Sequence, residues 1–198
     1  MESMTLTHGM ETEGGVGLPD KKLGMWVFLC SEVMFFTGLI GGYIVLRFGS
    51  PMWPVPSTVL NVPLTAFNTF LLICSSVTMV LALAAIQHGD VPRTKRFLVA
   101  TCLIGASFLS VQVVEYRHLL FVEHFTPSKS LFGSVFFTTT GFHGFHVFCG
   151  VVCMTFVTIK MFRGKYSQQD HQGIENIGLY WHFVDLVWII LFTVIYLI

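Results

Sequence analysis

Five apolar runs, each about as long as a lipid bilayer is thick, constrain this chain more than any other feature. They extend from about Leu23 to Leu46, Val62 to Ile86, Phe97 to Phe121, Leu131 to Phe162 and Ile174 to Ile198. A helix of roughly 20 apolar residues crosses the hydrocarbon core. The runs are continuous rather than alternating, so they do not read as strands of a membrane barrel. Charge agrees: 11% of the 198 residues are charged, against about 25% in soluble domains. A soluble chain this poor in charge could not cover its own surface. The expected fold is an all-α integral membrane protein, a bundle of five transmembrane helices. This composition argues against a soluble enzyme, a nucleic-acid binder and a disordered tail. Zero formal net charge gives no basic signal for nucleic acid.

The connectors carry turn and helix-stop residues where they are needed. Pro51, Pro54, Pro56 and Pro63 lie around the first, Gly89 and Pro92 in the second, and Pro127 in the third, while residues 163–173 are polar. Residues 1–22 are rich in Gly, Thr and Glu and are expected to form a flexible segment ahead of one domain, 23–198. They do not read as a secretory signal: the first apolar run is too long, starts too late and lacks a small-residue cleavage site. The cations sort by side. With five spans, Lys21, Lys22, Arg93, Lys95, Arg96, Lys160, Arg163 and Lys165 fall together, and Arg47, Arg117 and Lys129 fall opposite. The positive-inside bias then predicts a cytoplasmic N-terminus and an outer C-terminus.

Polar residues inside the runs are the candidates for function. Cys30, Cys74, Cys102, Cys149 and Cys153 all lie within spans, form no CxxC pair, and read as small buried apolar residues. Glu32 lies near the middle of the first span, where an ionised carboxylate must be neutralised, paired or turned to a cavity. His143 and His146 stand at i, i+3 on the fourth span, and His182 and Asp185 at i, i+3 on the fifth. Three helices thus bring polar groups to one depth, and a shared hydrogen-bonded network is the economical expectation. Gln112, Glu115 and His118 form a second group towards the end of the third span. Gly38 and Gly42 are spaced for close helix approach.

Several chemistries are compatible with this set. Glu115-x-x-His118 has the spacing of a di-iron ligand pair, but that site needs a second such pair and two further carboxylates. His143 or His146 with His182 has the depth for bis-histidine haem ligation. A proton or ion pathway through a small transporter is a third option, though its usual inverted repeats are not visible. The fourth is purely structural: the polar groups cross-link helices.

Four segments taken together make a resemblance. SEVMFFTG in the first span, QVVEY in the third, FFTTTGFHGFHV in the fourth and YWHFVDLVW in the fifth resemble subunit III of haem-copper oxidases, in order and spacing, over nearly the whole chain after residue 22. The wording is closer to the cytochrome c oxidase branch than to the quinol branch, and the length is similar to short bacterial members with five helices rather than seven.

The resemblance implies a non-redox accessory subunit of a respiratory terminal oxidase in the bacterial cytoplasmic membrane. It carries no haem or copper, which belong to partner subunits. It packs on subunit I, stabilises it during oxygen reduction to water, and supports proton uptake and lipid or oxygen access. Glu32 matches the family's intramembrane glutamate, His143 and His146 its fourth-helix histidines, and His182 and Asp185 its WHFVD motif. Arg163, with Glu32, is implied to contact bound phospholipid. The polar residues are then an internal hydrogen-bonded cluster rather than metal ligands, and Glu32 is expected to be protonated and to donate to a histidine. A subunit III-like partner of a nitric oxide reductase is the nearest alternative. A bis-histidine haem protein or a small transporter would instead show a Soret band or flux in the isolated chain.

Overall fold

The computed structural model describes residues 20–51, 53–54, 60–128 and 130–198. The expected flexible segment therefore lies mostly outside the described residues, as do Pro56 and Lys129. In hydrocarbon a backbone must satisfy its own N–H and C=O groups, and a helix does so within one segment. The five apolar runs accordingly become α1 (Asp20–Gly49), α2 (Val62–Gln87), α3 (Val91–Phe121), α4 (Leu131–Phe162) and α5 (Gln172–Phe192), the last continued by a π-helical turn, Thr193–Leu197. All five are long and apolar enough to cross a membrane, and the described residues contain no strand.

Local chemistry sets the helix starts. Asn61 accepts from Leu64 N at the head of α2, Asp90 from Arg93 N at α3, and Ser130 from Gly133 N at α4, each satisfying an amide that the first turn leaves over. The Asp90 cap and Pro92 start α3 six residues before its apolar run. Arg93, Lys95 and Arg96 therefore stand on the first turns of a helix rather than in a connector. That leaves a three-residue turn, 88–90, between α2 and α3. It depends on Gly89, whose φ of +77° is a left-handed conformation that side chains disfavour. Gln168 Nε2 braces it from the last connector by donating to Gln87 O at 2.8 Å.

α2, α3, α4 and α5 pack in a closed ring, each against the next and α5 back against α2, while α1 lies outside against α5 and α4. Only 11% of the apolar window of α1 is buried, against 28–50% in the other four, so α1 is the peripheral helix. The core of the ring holds Phe108, Phe136, Met79, Met154, Trp181 and Trp188. The indole of Trp181 sits between two glycines. A Cβ on Gly105 would lie 2.6 Å from its Cη2, and one on Gly150 3.0 Å from its Cζ3. Both glycines are there to admit this ring. Two expectations change. Gly38 and Gly42 do not bring α1 close to a neighbour, since a Cβ on either would meet nothing within 4 Å; they line an open groove facing α4. Cys30 and Cys153 are exposed rather than buried, and the other three cysteines are half-buried, because their helix faces point away from the ring's centre.

Candidate functional site

The intramembrane carboxylate of Glu32 meets His146. Oε2 of Glu32 lies 2.9 Å from Nε2 of His146, with the two side chains 17% and 14% exposed. The other imidazole nitrogen fixes the proton count. His146 Nδ1 lies 2.7 Å from the carbonyl of Phe142, which can only accept, so Nδ1 carries a hydrogen. Nε2 then either accepts a proton from a neutral Glu32 or carries one beside an ionised Glu32. In both forms one proton lies between the two groups. The sequence expectation that Glu32 pairs with a histidine thus acquires a geometry. α1 supplies the acid, α4 supplies the base, and α5 holds the base in place through Tyr180, whose hydroxyl donates to His146 O at 2.9 Å. Phe35 and Phe36 pack on the imidazole, with ring centroids 6.0 and 5.0 Å away.

The remaining polar residues of the mid-span set do not join one network. His143 turns into the core, fully buried. Its Nε2 donates to Val184 O at 3.2 Å, Trp188 stacks on it at 4.7 Å, and its Nδ1 has no partner. Three residues on an α-helix are about 300° of rotation. That offset is enough to place His143 inside the ring while His146 stays at its rim. His182 faces α2, its Nδ1 3.0 Å from Ser76 Oγ. Asp185 is buried on the same side of α5, and its Oδ1 is unpartnered. The structure thus separates a Glu32–His146 pair at the α1–α4 seam from a His182–Ser76 contact at the α5–α2 seam. Bis-histidine haem ligation does not fit these rings: both nitrogens of His146 are engaged, and the free nitrogen of His143 is sealed in the core.

The second group divides as well. Glu115 and Gln112 are buried, whereas His118 is exposed. Glu115 Oε1 accepts from Thr65 Oγ1 at 3.2 Å, and Gln112 Nε2 donates to Thr140 O at 3.2 Å. Among the described residues no three His, Cys, Asp or Glu side chains converge to hold a metal ion, so Glu115 and His118 do not have the companions a di-iron site needs. Arg163 caps the C-terminal end of α4, exposed, beyond the apolar layer.

α2 supplies a further set of interhelical contacts, from hydroxyl groups rather than ionisable ones. Trp181 Nε1 donates to Ser75 Oγ and Trp188 Nε1 to Thr69 Oγ1, both at 2.9 Å. With the His182–Ser76 contact they fix α5 to α2 over two turns. The signal was present: Thr65, Asn68, Thr69 and Ser75 recur at helical spacing, and all are buried. A polar stripe on an apolar helix marks the face that meets other helices. Lys22 and Glu175, 2.5 Å apart, join α1 to the start of α5 in the same way at one membrane surface.

A family model described as Cytochrome c oxidase subunit III matches residues 7–198. Among similar proteins, a cytochrome c oxidase subunit 3 from Corynebacterium diphtheriae is 41% identical over 180 residues, 89% of this chain and 87% of that one. One from Thermostichus vulcanus is 38% identical over 90% of this chain and 88% of that protein. A third, from Synechocystis sp., is 38% identical over 98% of this chain and 82% of its own length.

Proposed function

The chain belongs to the cytochrome c oxidase subunit III family, and on that premise we propose how it works. It is a non-redox accessory subunit of a proton-translocating haem-copper terminal oxidase in the bacterial cytoplasmic membrane. It packs on subunit I, alongside the other oxidase subunits, and stabilises it while oxygen is reduced to water. Haem and copper sit in those partners.

The observation that carries this reading is the Glu32–His146 pair. A carboxyl and an imidazole sharing one proton inside hydrocarbon form a site that can hold a proton and pass it on without exposing a lone charge. Its place at the rim of the ring leaves it open to a neighbouring subunit or to lipid, and this supports a role in proton supply to subunit I. Bound phospholipid completes the proposal. The Arg163 guanidinium, at the helix end, suits an anionic headgroup, with Glu32 deeper along the same lipid layer. The N-terminus faces the cytoplasm, on the strength of the eight cations on its side.

Purification of the tagged chain in mild detergent tests the assembly: it should elute with a large subunit carrying haem and copper. Glu32→Gln tests the mechanism. The variant should assemble normally and start at normal turnover, but lose activity in fewer catalytic cycles. Turnover and inactivation unchanged over many cycles would overturn the proton-supply role. In difference infrared spectra between wild type and Glu32→Gln, a protonated carboxyl band should disappear with the substitution. A band of an ionised carboxylate in its place would show that the resting proton sits on His146.

A further inference from the structure

The head of α2 and the end of α3 leave a crevice of about 200 Å³ between them, lined by Asn61, Leu64, Val114, Glu115, His118 and Leu119. Asn61 caps α2 from outside the helix, and Phe121 is the last residue of α3. At about 1.5 Å per residue, Glu115 lies only about 9 Å inside that helix end. The crevice therefore opens at the membrane surface where α1 and α3 end. It has room for several water molecules, and the carboxyl, amide and imidazole in its lining give them polar partners.

Glu115 is 9% exposed, and the hydrogen bonds around it are one hydrogen short. Thr65 Oγ1 lies 3.2 Å from Glu115 Oε1 and 3.0 Å from Asn61 O. A hydroxyl has one hydrogen, and a carbonyl can only accept. If the hydrogen goes to Asn61 O, the contact with Glu115 must take its hydrogen from the carboxyl, which is then protonated. If it goes to Glu115, Oε1 accepts it as an ionised carboxylate would, and Asn61 O still accepts from Thr65 N at 3.1 Å. The same heavy-atom positions thus serve both forms, and the turn of one hydroxyl converts between them.

No neighbouring charge locks the carboxyl in either form. Among the described residues no cation pairs with Glu115. The titratable groups that face it are Tyr196, brought in by the π-helical turn after α5, and Tyr116 and His118 of α3. α2 presents only the neutral Asn61 and Thr65, and α4 no titratable group. An ionised carboxylate without a cation needs water, and the crevice is where water reaches it.

We propose that Glu115 is a proton-exchanging carboxyl, reached by water through the α2–α3 crevice from the membrane surface at which α1 ends, with the Thr65 hydroxyl as its switch. On ionisation the Glu115 proton passes to crevice water, and the Thr65 hydrogen turns from Asn61 O to Oε1. Protonation reverses both steps. This is a second proton site, distinct from Glu32 and His146, and it does not depend on the role proposed for that pair.

Infrared difference spectroscopy tests it on the tagged chain, purified in mild detergent with the subunits it retains. Subtracting the Glu115→Gln spectrum isolates the bands of this carboxyl. Thr65→Val identifies the same bands by shifting them without removing the acid, so the assignment survives if Glu115→Gln fails to fold. On transfer to D2O the protonated band should shift within seconds. As pH is varied over the range in which the protein stays folded, the carboxyl should pass reversibly between its protonated and ionised bands. Thr65→Val should move the midpoint of that change to higher pH, because the ionised form loses its donor. A carboxyl that only cross-links α2 and α3 would show neither exchange nor titration. A band that shifts in D2O only over the minutes to hours of local opening overturns the proposal. So does a carboxyl that stays in one form across the whole pH range. An unchanged midpoint in Thr65→Val overturns the assignment of the switch.

Discussion

At the scale of single residues, the membrane makes hydrogen counting decisive. Water is not present to complete a partial bond, so each imidazole, hydroxyl and amide must be read by where its hydrogen goes. That reading places one proton between Glu32 and His146 and gives Thr65 one hydrogen for two acceptors, Asn61 O and Glu115. Size is equally sharp where an aromatic ring meets a glycine. Gly105→Ala would set a Cβ 2.6 Å from the indole of Trp181, which Ser75 and Gly150 hold from other sides. Overpacking of this kind costs about 1–3 kcal/mol, so the thermal midpoint of the purified chain in detergent should fall by several degrees. Gly38→Ala, with nothing within 4 Å, should leave it unchanged or raise it slightly, since Ala is the better helix former. Equal midpoints for the two variants would show that the Trp181 seat is looser than the geometry implies.

At the scale of elements, the helices differ in how they are held. α2 and α5 are joined by Trp181–Ser75, His182–Ser76 and Trp188–Thr69, and α2 and α3 by Asn68 with the Phe108 carbonyl and Thr78 with Thr101. α1 has little burial and is tied by polar contacts at three levels: Lys22–Glu175 and Asn176 Nδ2 to Lys21 O near its start, Glu32–His146 in the interior, and Arg47 to the carbonyl of Ile198 near its end. A helix with few buried contacts opens first. The double variant Lys22→Ala, Glu32→Gln should therefore raise deuterium exchange in α1 well above that in α2 and α5. Each single change should do so only in part. Uniform exchange across all five helices would mean that apolar contact alone holds α1. Asp90→Ala removes the cap of α3 and should cost about 1 kcal/mol, read as increased exchange confined to the first turn of α3.

At the scale of the whole molecule, the four-helix ring with one peripheral helix presents two kinds of surface. One carries the Glu32–His146 pair at the α1–α4 seam, the other is the apolar groove between α3 and α4. Topology is expected to follow from charge: the eight-to-three division of Lys and Arg predicts that residues 163–173 lie on the same, cytoplasmic side as the N-terminus. In a variant whose five native cysteines are replaced, a single cysteine at Ser167 should resist a membrane-impermeant thiol reagent in intact cells and react in inverted vesicles. The reverse pattern would invert the topology.

The sequence by itself determined the class, the number of spans and the family resemblance. Each follows from local quantities: run length against bilayer thickness, charge against surface, and short motifs along single helices. It also found most of the polar residues, because an ionisable group in an apolar run stands out wherever the helix faces. It could not assign their partners. His143 and His146 share a motif, yet one is sealed beside Trp188 and the other is paired with Glu32, because the angle at which α4 meets its neighbours decides which side chain points inward. The polar stripe of α2 acquired meaning only when the tryptophans of α5 were laid against it. The single hydrogen that Thr65 divides between Asn61 O and Glu115 appeared only when α2 was laid against α3. Pairing between helices depends on rotation and tilt, which are set by the packing of all the helices at once, and the order of residues along any one helix does not contain them.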